Sequence, residues 1–141
     1  MRYTFLFSIF LIAILTGCKK NKFNSTPSLK LKSVSSEIIP AGSGILFTLS
    51  FTDAEGDLND SLYIEKIEPN CSLSNFSDHY IIPSFPTSTN EEGDILVNFS
   101  YNDIPPKCQQ NDTAVFRFAI KDKANHMSDT VSTPPIIIIY R

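Results

Sequence analysis

The chain has no tryptophan, only two histidines and five glycines in 141 residues, and no excess of basic side chains, with 12 Lys and Arg against 15 Asp and Glu. Each shortage excludes something. Without a basic stripe there is no electrostatic footprint for nucleic acid. His79 and His126 have no cysteine or carboxylate at metal-ligand spacing and no nucleophile motif before them, so hydrolytic and triad chemistry lack a starting point. Beyond residue 28 the apolar residues never follow a helical period, and no second apolar run is long enough to span a membrane. No internal repeat is visible. Nothing here reads as an enzyme.

What is present begins with one apolar run. After Arg2, residues 3–15 carry Phe5, Leu6, Phe7, Ile9, Phe10, Leu11, Ile12 and Ile14. A charged start and an apolar stretch of about a dozen residues fit a signal peptide, and are too short for a permanent span. The run ends in Leu15-Thr16-Gly17-Cys18. That ending is similar to the lipobox of bacterial lipoproteins, which implies cleavage before Cys18, diacylglycerol on its sulfur and stable anchoring by more than one acyl chain. Residues 1–17 are then a lipoprotein signal peptide, 18–27 a polar tether and 28–141 a single domain. Taking 17 residues from 141 leaves 124, enough for one real core, and the loss of Arg2 moves the net charge from −3 to −4. The implied location is the bacterial cell envelope, with the membrane as partner through the lipid on Cys18. Surface-exported lipoproteins of Bacteroidota carry acidic residues just after the cysteine. Lysines at 19, 20 and 22 stand there instead, so the periplasmic face of the outer membrane is expected.

With Cys18 assigned to lipid, Cys71 and Cys108 remain, in a compartment where disulfides persist. A disulfide is the simplest expectation. Two free thiols or a metal pair are the alternatives, and the metal pair lacks a third ligand nearby in sequence.

From Ser28 onward the pattern alternates with period two. Leu29 and Leu31 alternate with lysines, and Ile45, Phe47, Leu49 and Phe51 alternate with Leu46, Thr48, Ser50 and Thr52. Further strands are predicted over 61–68, 79–82, 95–101 and 114–120, followed by Val131 and the 136–139 isoleucine run. The 61–68 strand has an ambiguous face, because Leu62, Ile64 and Ile67 break the alternation. Pro134 and Pro135 confine the last segment to an edge or to a break where it changes partner. About seven short strands with turn residues between them predict an all-β fold, a single antiparallel β-sandwich.

The segment from Phe116 to Ser128 resembles the penultimate strand and hairpin of bacterial immunoglobulin-like domains, with Ala124-Asn125 where Ala-Gly-Asn is usual. Residues 40–51 are similar to the entry into their second strand. The resemblance implies an immunoglobulin-like or cadherin-like domain in a small Bacteroidota-type lipoprotein and brings no activity with it. Alternating strand directions place the loops 53–60, 91–94 and 122–129 at one end and both cysteines at the other. The tether leaves from the acidic end.

Asp53, Glu55, Asp57 and Asp60 fall within eight residues. Alternating carboxylates on a tight loop suit calcium, which takes six to eight oxygen ligands, and Asp122 from the penultimate hairpin would complete a set with Asp53, Glu55 and Asp57. A solvated turn accounts for the same residues without an ion, and is the reading the sequence favours. Asp60-Ser61, Asp112-Thr113 and Asp129-Thr130, each followed by an apolar residue, are similar to an O-glycosylation motif of extracytoplasmic Bacteroidota proteins, which would modify Ser61, Thr113 and Thr130. Strand entries generate the same pattern. Two function classes stay open: a non-enzymatic sandwich that binds a protein or glycan or acts as a spacer, calcium-stabilised or not, and an enzyme or inhibitor with an unidentified loop site.

Overall fold

The computed structural model describes residues 24–58, 61–83 and 89–141. The expected signal peptide, Cys18, most of the expected tether and Asp60 lie outside the described residues. The strands are β1 (Ser28–Val34), β2 (Ile38–Ile39), β3 (Gly44–Asp53), β4 (Ser61–Ile67), β5 (Phe76–Ile81), β6 (Glu91–Ser100), β7 (Asp112–Lys121), β8 (Val131–Ser132) and β9 (Ile136–Ile138). One sheet has the order β1-β3-β6, and the other β2-β9-β7-β4-β5 with β8 also on β7. The fold is the expected β-sandwich.

The centre of the smaller sheet is β3, and its sequence explains why. Ile45, Phe47, Leu49 and Phe51 are all buried on its inward face, while the residues between them stay polar or part-exposed. It pairs antiparallel with β1 on one side and β6 on the other. The turn before it closes with Ser43 N–H donating to Pro40 O at 3.1 Å, and Gly42 supplies a φ of +79°. At Gly44 a Cβ would stand 2.8 Å from the Phe99 carbonyl oxygen, so only glycine fits that approach.

Phenylalanines join the two layers. The Phe47 ring lies 4.9 Å from Phe116 and 5.2 Å from Phe118, and Phe99 stacks on Phe116 at 5.8 Å. Each such side chain contributes about 1.5–3 kcal/mol by burial.

Several expectations need correction. Among the described residues nine strands stand where about seven were expected, because Ile38–Ile39 and Val131–Ser132 form two-residue strands too short to show a period. The sandwich is not wholly antiparallel, since β2 runs parallel to β9. Nor is the isoleucine run an edge: β9 lies between β7 and β2, with Ile136 and Ile138 fully buried. The two prolines interrupt the ladder but do not change the partner, as β8 and β9 both pair with β7. Residues 91–94 begin β6 and are not a loop. β5 starts at Phe76, so His79 sits within a strand opposite Tyr63.

The ambiguous strand resolves in an unexpected way. The inward face of β4 is Leu62, Ile64 and Lys66, continued by Glu68, while Ile67 is only half-buried. Two charged residues therefore occupy core positions.

The cysteines and the acidic loops separate to opposite ends, as strand direction requires. Cys71 and Cys108 form a disulfide with Cα atoms 5.8 Å apart. At the other end, Ala54 N–H donates to Asn24 O at 3.2 Å, which fixes the start of the described chain beside the acidic loops.

Candidate functional site

β3 ends on Asp53, and the β3–β6 register sets it directly opposite Glu91, the first residue of β6. Asp53 is fully buried and Glu91 is 8% exposed. Gly56, with φ +68°, curls the chain after β3 so that the Asp57 N–H donates to Asp53 Oδ2 at 3.0 Å. β7, from the other sheet, delivers Asp122 just past its end, also fully buried. One carboxylate oxygen from each of Asp53, Asp57 and Asp122 lies within 4.8 Å of the others.

The loops that carry these groups are tied to one another. Lys123 N–H donates to Asp57 O at 3.3 Å, and Asn90 N–H donates to Ala54 O at 2.9 Å. The Asp122 carboxylate accepts the His126 N–H at 2.7 Å and faces His126 Nδ1 at 3.0 Å. Asn125 adopts φ +70° in that turn. Asparagine tolerates this left-handed conformation better than most residues.

The electrostatics are unfavourable as they stand. Asp53 Oδ1, Asp57 Oδ1 and Glu91 Oε2 are buried with no hydrogen-bond partner. Burial raises the Asp53 carboxyl above the usual range, and the negative charges of Asp57 and Asp122 add to this, against the lowering effect of the Asp57 and Gly56 N–H groups. Glu91 is raised by burial and by the charges of Asp53 and Asp57. Two carboxylates about 4.8 Å apart repel by roughly 3 kcal/mol at an effective dielectric near 20. Such a group holds protons more tightly than usual, or it holds a hard cation.

Of the residues singled out in the sequence, Asp53, Asp57 and Asp122 meet. Glu55 does not: it is exposed in the loop, on the other side of Gly56 from Asp57, and Glu91 takes its place among the buried acids. Sequence alternation places Glu91 in a loop ahead of the strand predicted over 95–101, so it stays outside the predicted set. Constant register along the β3–β6 pair, carried on from Phe47 opposite Val97, leads straight to it.

The hydroxyls of the Asp-Ser/Thr pattern differ in their surroundings. Ser61 is buried at the start of β4, Thr113 is half-buried in β7, and Thr130 is exposed ahead of β8. Asp112 is itself buried and accepts the Thr113 N–H at 2.7 Å, a strand-entry role. The two histidines do not converge, with His79 tilted against the Tyr63 ring at 6.0 Å and His126 on Asp122.

No family model matches the chain, and no curated protein matches it. Among solved structures it is similar to Spo0M, a sporulation control protein from Bacillus subtilis, at 10% identity and a TM-score of 0.46. That likeness covers 84% of this chain and 51% of the other, so the chain spans about half of that protein's length. Nothing about function follows from a likeness of this degree.

Proposed function

We propose that the protein is a lipid-anchored, non-enzymatic module of the bacterial cell envelope, an immunoglobulin-like sandwich whose tether end is stiffened by calcium. It acts as a spacer or presents its surface to a protein or glycan. The observation that carries the reading is the meeting of Asp53, Asp57 and Asp122, with Glu91 opposite Asp53 in the β3–β6 ladder, and one oxygen each of Asp53, Asp57 and Glu91 buried without a hydrogen-bond partner. Calcium takes six to eight oxygens at 2.3–2.6 Å, and three segments bring carboxylates here: β3 and the connection after it, the start of β6 and the end of β7. The end from which the tether leaves is also the end the ion would tie together. The Leu15-Thr16-Gly17-Cys18 stretch supports the anchor and the disulfide fits an oxidising compartment.

Calorimetric titration of the unlipidated Cys18→Ser chain tests the ion. One calcium per chain is expected, with binding lost in an Asp53→Asn, Glu91→Gln double variant. Absence of a calcium heat in a folded parent contradicts the reading. Fractionation tests the anchor separately: the parent should partition with membranes and Cys18→Ser should not.

A further inference from the structure

The opposite end of the sandwich holds a second group of buried charges that the proposed function does not use. Lys66, Glu68 and Asp112 are 1%, 1% and 3% exposed. Lys66 Nζ forms an ion pair with Glu68 and donates to the carbonyls of Ile104 at 3.3 Å and Ser74 at 3.4 Å. Asp112 Oδ1 accepts from Thr113 N–H at 2.7 Å and lies 3.5 Å from Asn70 Nδ2. This leaves Glu68 Oε2 and Asp112 Oδ2 buried without a hydrogen-bond partner. Both carboxylates face the disulfide: an oxygen of Glu68, an oxygen of Asp112 and Cys71 Sγ all lie within 4.8 Å of one another. Cys108 is bonded to Cys71 and so brings a second sulfur to the same place.

A disulfide sulfur is a poor metal ligand, but a thiolate is a strong one. From these positions we infer that the reduced chain carries a zinc site, with Cys71, Cys108, Glu68 and Asp112 as its ligands. Two thiolates and two carboxylates make a four-coordinate set of the kind zinc accepts in tetrahedral sites. Zinc–sulfur bonds of about 2.3 Å and zinc–oxygen bonds of about 2.1 Å place sulfur and oxygen ligands about 3.6 Å apart in a tetrahedron. The carboxylate oxygens and Cys71 Sγ already lie within 4.8 Å of one another and need only a small closure, while the two sulfurs move apart once the bond between them is broken. Lys66 sits beside the site and offsets part of the excess negative charge. The missing third ligand that made a metal pair weak in sequence is supplied twice over by the fold.

The chemistry balances as an exchange followed by a substitution. Two equivalents of a thiol reductant give two electrons and two protons to the Cys71–Cys108 bond and leave as their own disulfide. Zinc then displaces the two thiol protons to solvent and binds the thiolates. Disulfide and zinc thus become alternative closures of the same 37-residue separation. The reading is independent of the proposed calcium end, which contains no cysteine.

The test uses the full chain with Cys18→Ser, in which Cys71 and Cys108 are the only thiols. After anaerobic reduction, cobalt(II) should bind one per chain with the visible spectrum of a tetrahedral site and a sulfur-to-cobalt charge-transfer band, and zinc should displace it. Both thiols should become resistant to alkylation. Asp112→Asn should weaken zinc by roughly tenfold to a hundredfold, and Glu68→Gln similarly. If Glu68→Gln does not fold, as removal of the Lys66 partner allows, Asp112→Asn alone carries the comparison. The inference is overturned if the reduced parent gives no tetrahedral cobalt spectrum, or if Asp112→Asn binds zinc as tightly as the parent, since the thiolates would then act alone.

Discussion

At the disulfide end of the sandwich Glu68 is buried against a lysine, and a covalent bond closes the chain beside it. At the acidic-loop end Asp53, Glu91 and Asp122 are buried to a similar depth. Both ends keep buried carboxylate oxygens without a hydrogen-bond partner, Glu68 and Asp112 at one and Asp53, Asp57 and Glu91 at the other. The difference is the cation: Lys66 is buried beside the first group, and among the described residues no lysine or arginine is buried beside the second. The contrast shows how two loop ends of one sandwich can bury acids with and without a counter-charge from the chain.

The largest effect should come from breaking the internal compensation. Burial lowers the Lys66 ammonium, and the hydrogen bond and charge of Glu68 oppose this without reversing it. Lys66→Met leaves Glu68 buried without its cation and should cost about 3–5 kcal/mol by denaturant unfolding, whereas Lys66→Met with Glu68→Leu should cost much less. Equal losses in the two variants would mean that packing, not charge, sets the value of Lys66.

Removing the disulfide comes next. A Cys71→Ala, Cys108→Ala variant should lose roughly 3–4 kcal/mol, as expected for a closed loop of 37 residues. Calcium should raise the melting temperature of this variant by as much as it raises the parent's, because the two ends share no residues. A calcium response that disappears with the disulfide would join the ends that the comparison separates.

A smaller effect concerns pH at the acidic-loop end. Asp53 and Glu91 are raised in the folded chain above their ordinary values, with Asp57, Asp122 and the His126 bonded to Asp122 as the charged or titratable neighbours. A raised carboxyl binds protons more readily in the folded than in the unfolded state. Its stabilising contribution is therefore complete below the ordinary carboxylate pKa and is lost as pH rises through the raised value. In chelator, stability should increase as pH falls from neutral toward the ordinary carboxylate range. With calcium present that slope should flatten, since the ion and the protons compete for the same oxygens. Identical slopes in both conditions would place the ion elsewhere.

Much of this contrast was legible in the sequence. Alternation at Ile45 to Phe51 and at Ala114 to Ile120 marked the strands at the heart of both sheets, and strand direction alone sent the cysteines and the acidic loops to opposite ends. Two-residue strands left no period to read, so β2 and its parallel pairing with β9 were invisible. The inward face of β4 was hidden because Lys66 and Glu68 look like solvent residues. Only a cross-chain view shows the partner that lets each be buried. Glu91 was hidden by the same loss of long-range information, since its role depends on lying opposite Asp53. Asn125 was easier to foresee as a turn residue, and it adopts the left-handed φ of +70° that asparagine tolerates.

The most direct measurement is the melting temperature of the folded domain in millimolar calcium and in chelator, for the parent, Glu91→Gln and Glu55→Gln. An ion bound to the folded state alone at a hundredfold excess over Kd contributes about 2.7 kcal/mol, a rise of roughly 10 °C for a domain of this size. The parent and Glu55→Gln should both show that rise, because Glu55 is exposed outside the cluster, and Glu91→Gln should show much less of it. A parent that melts at the same temperature in both conditions, or a response that vanishes with Glu55 and survives the loss of Glu91, would contradict the account.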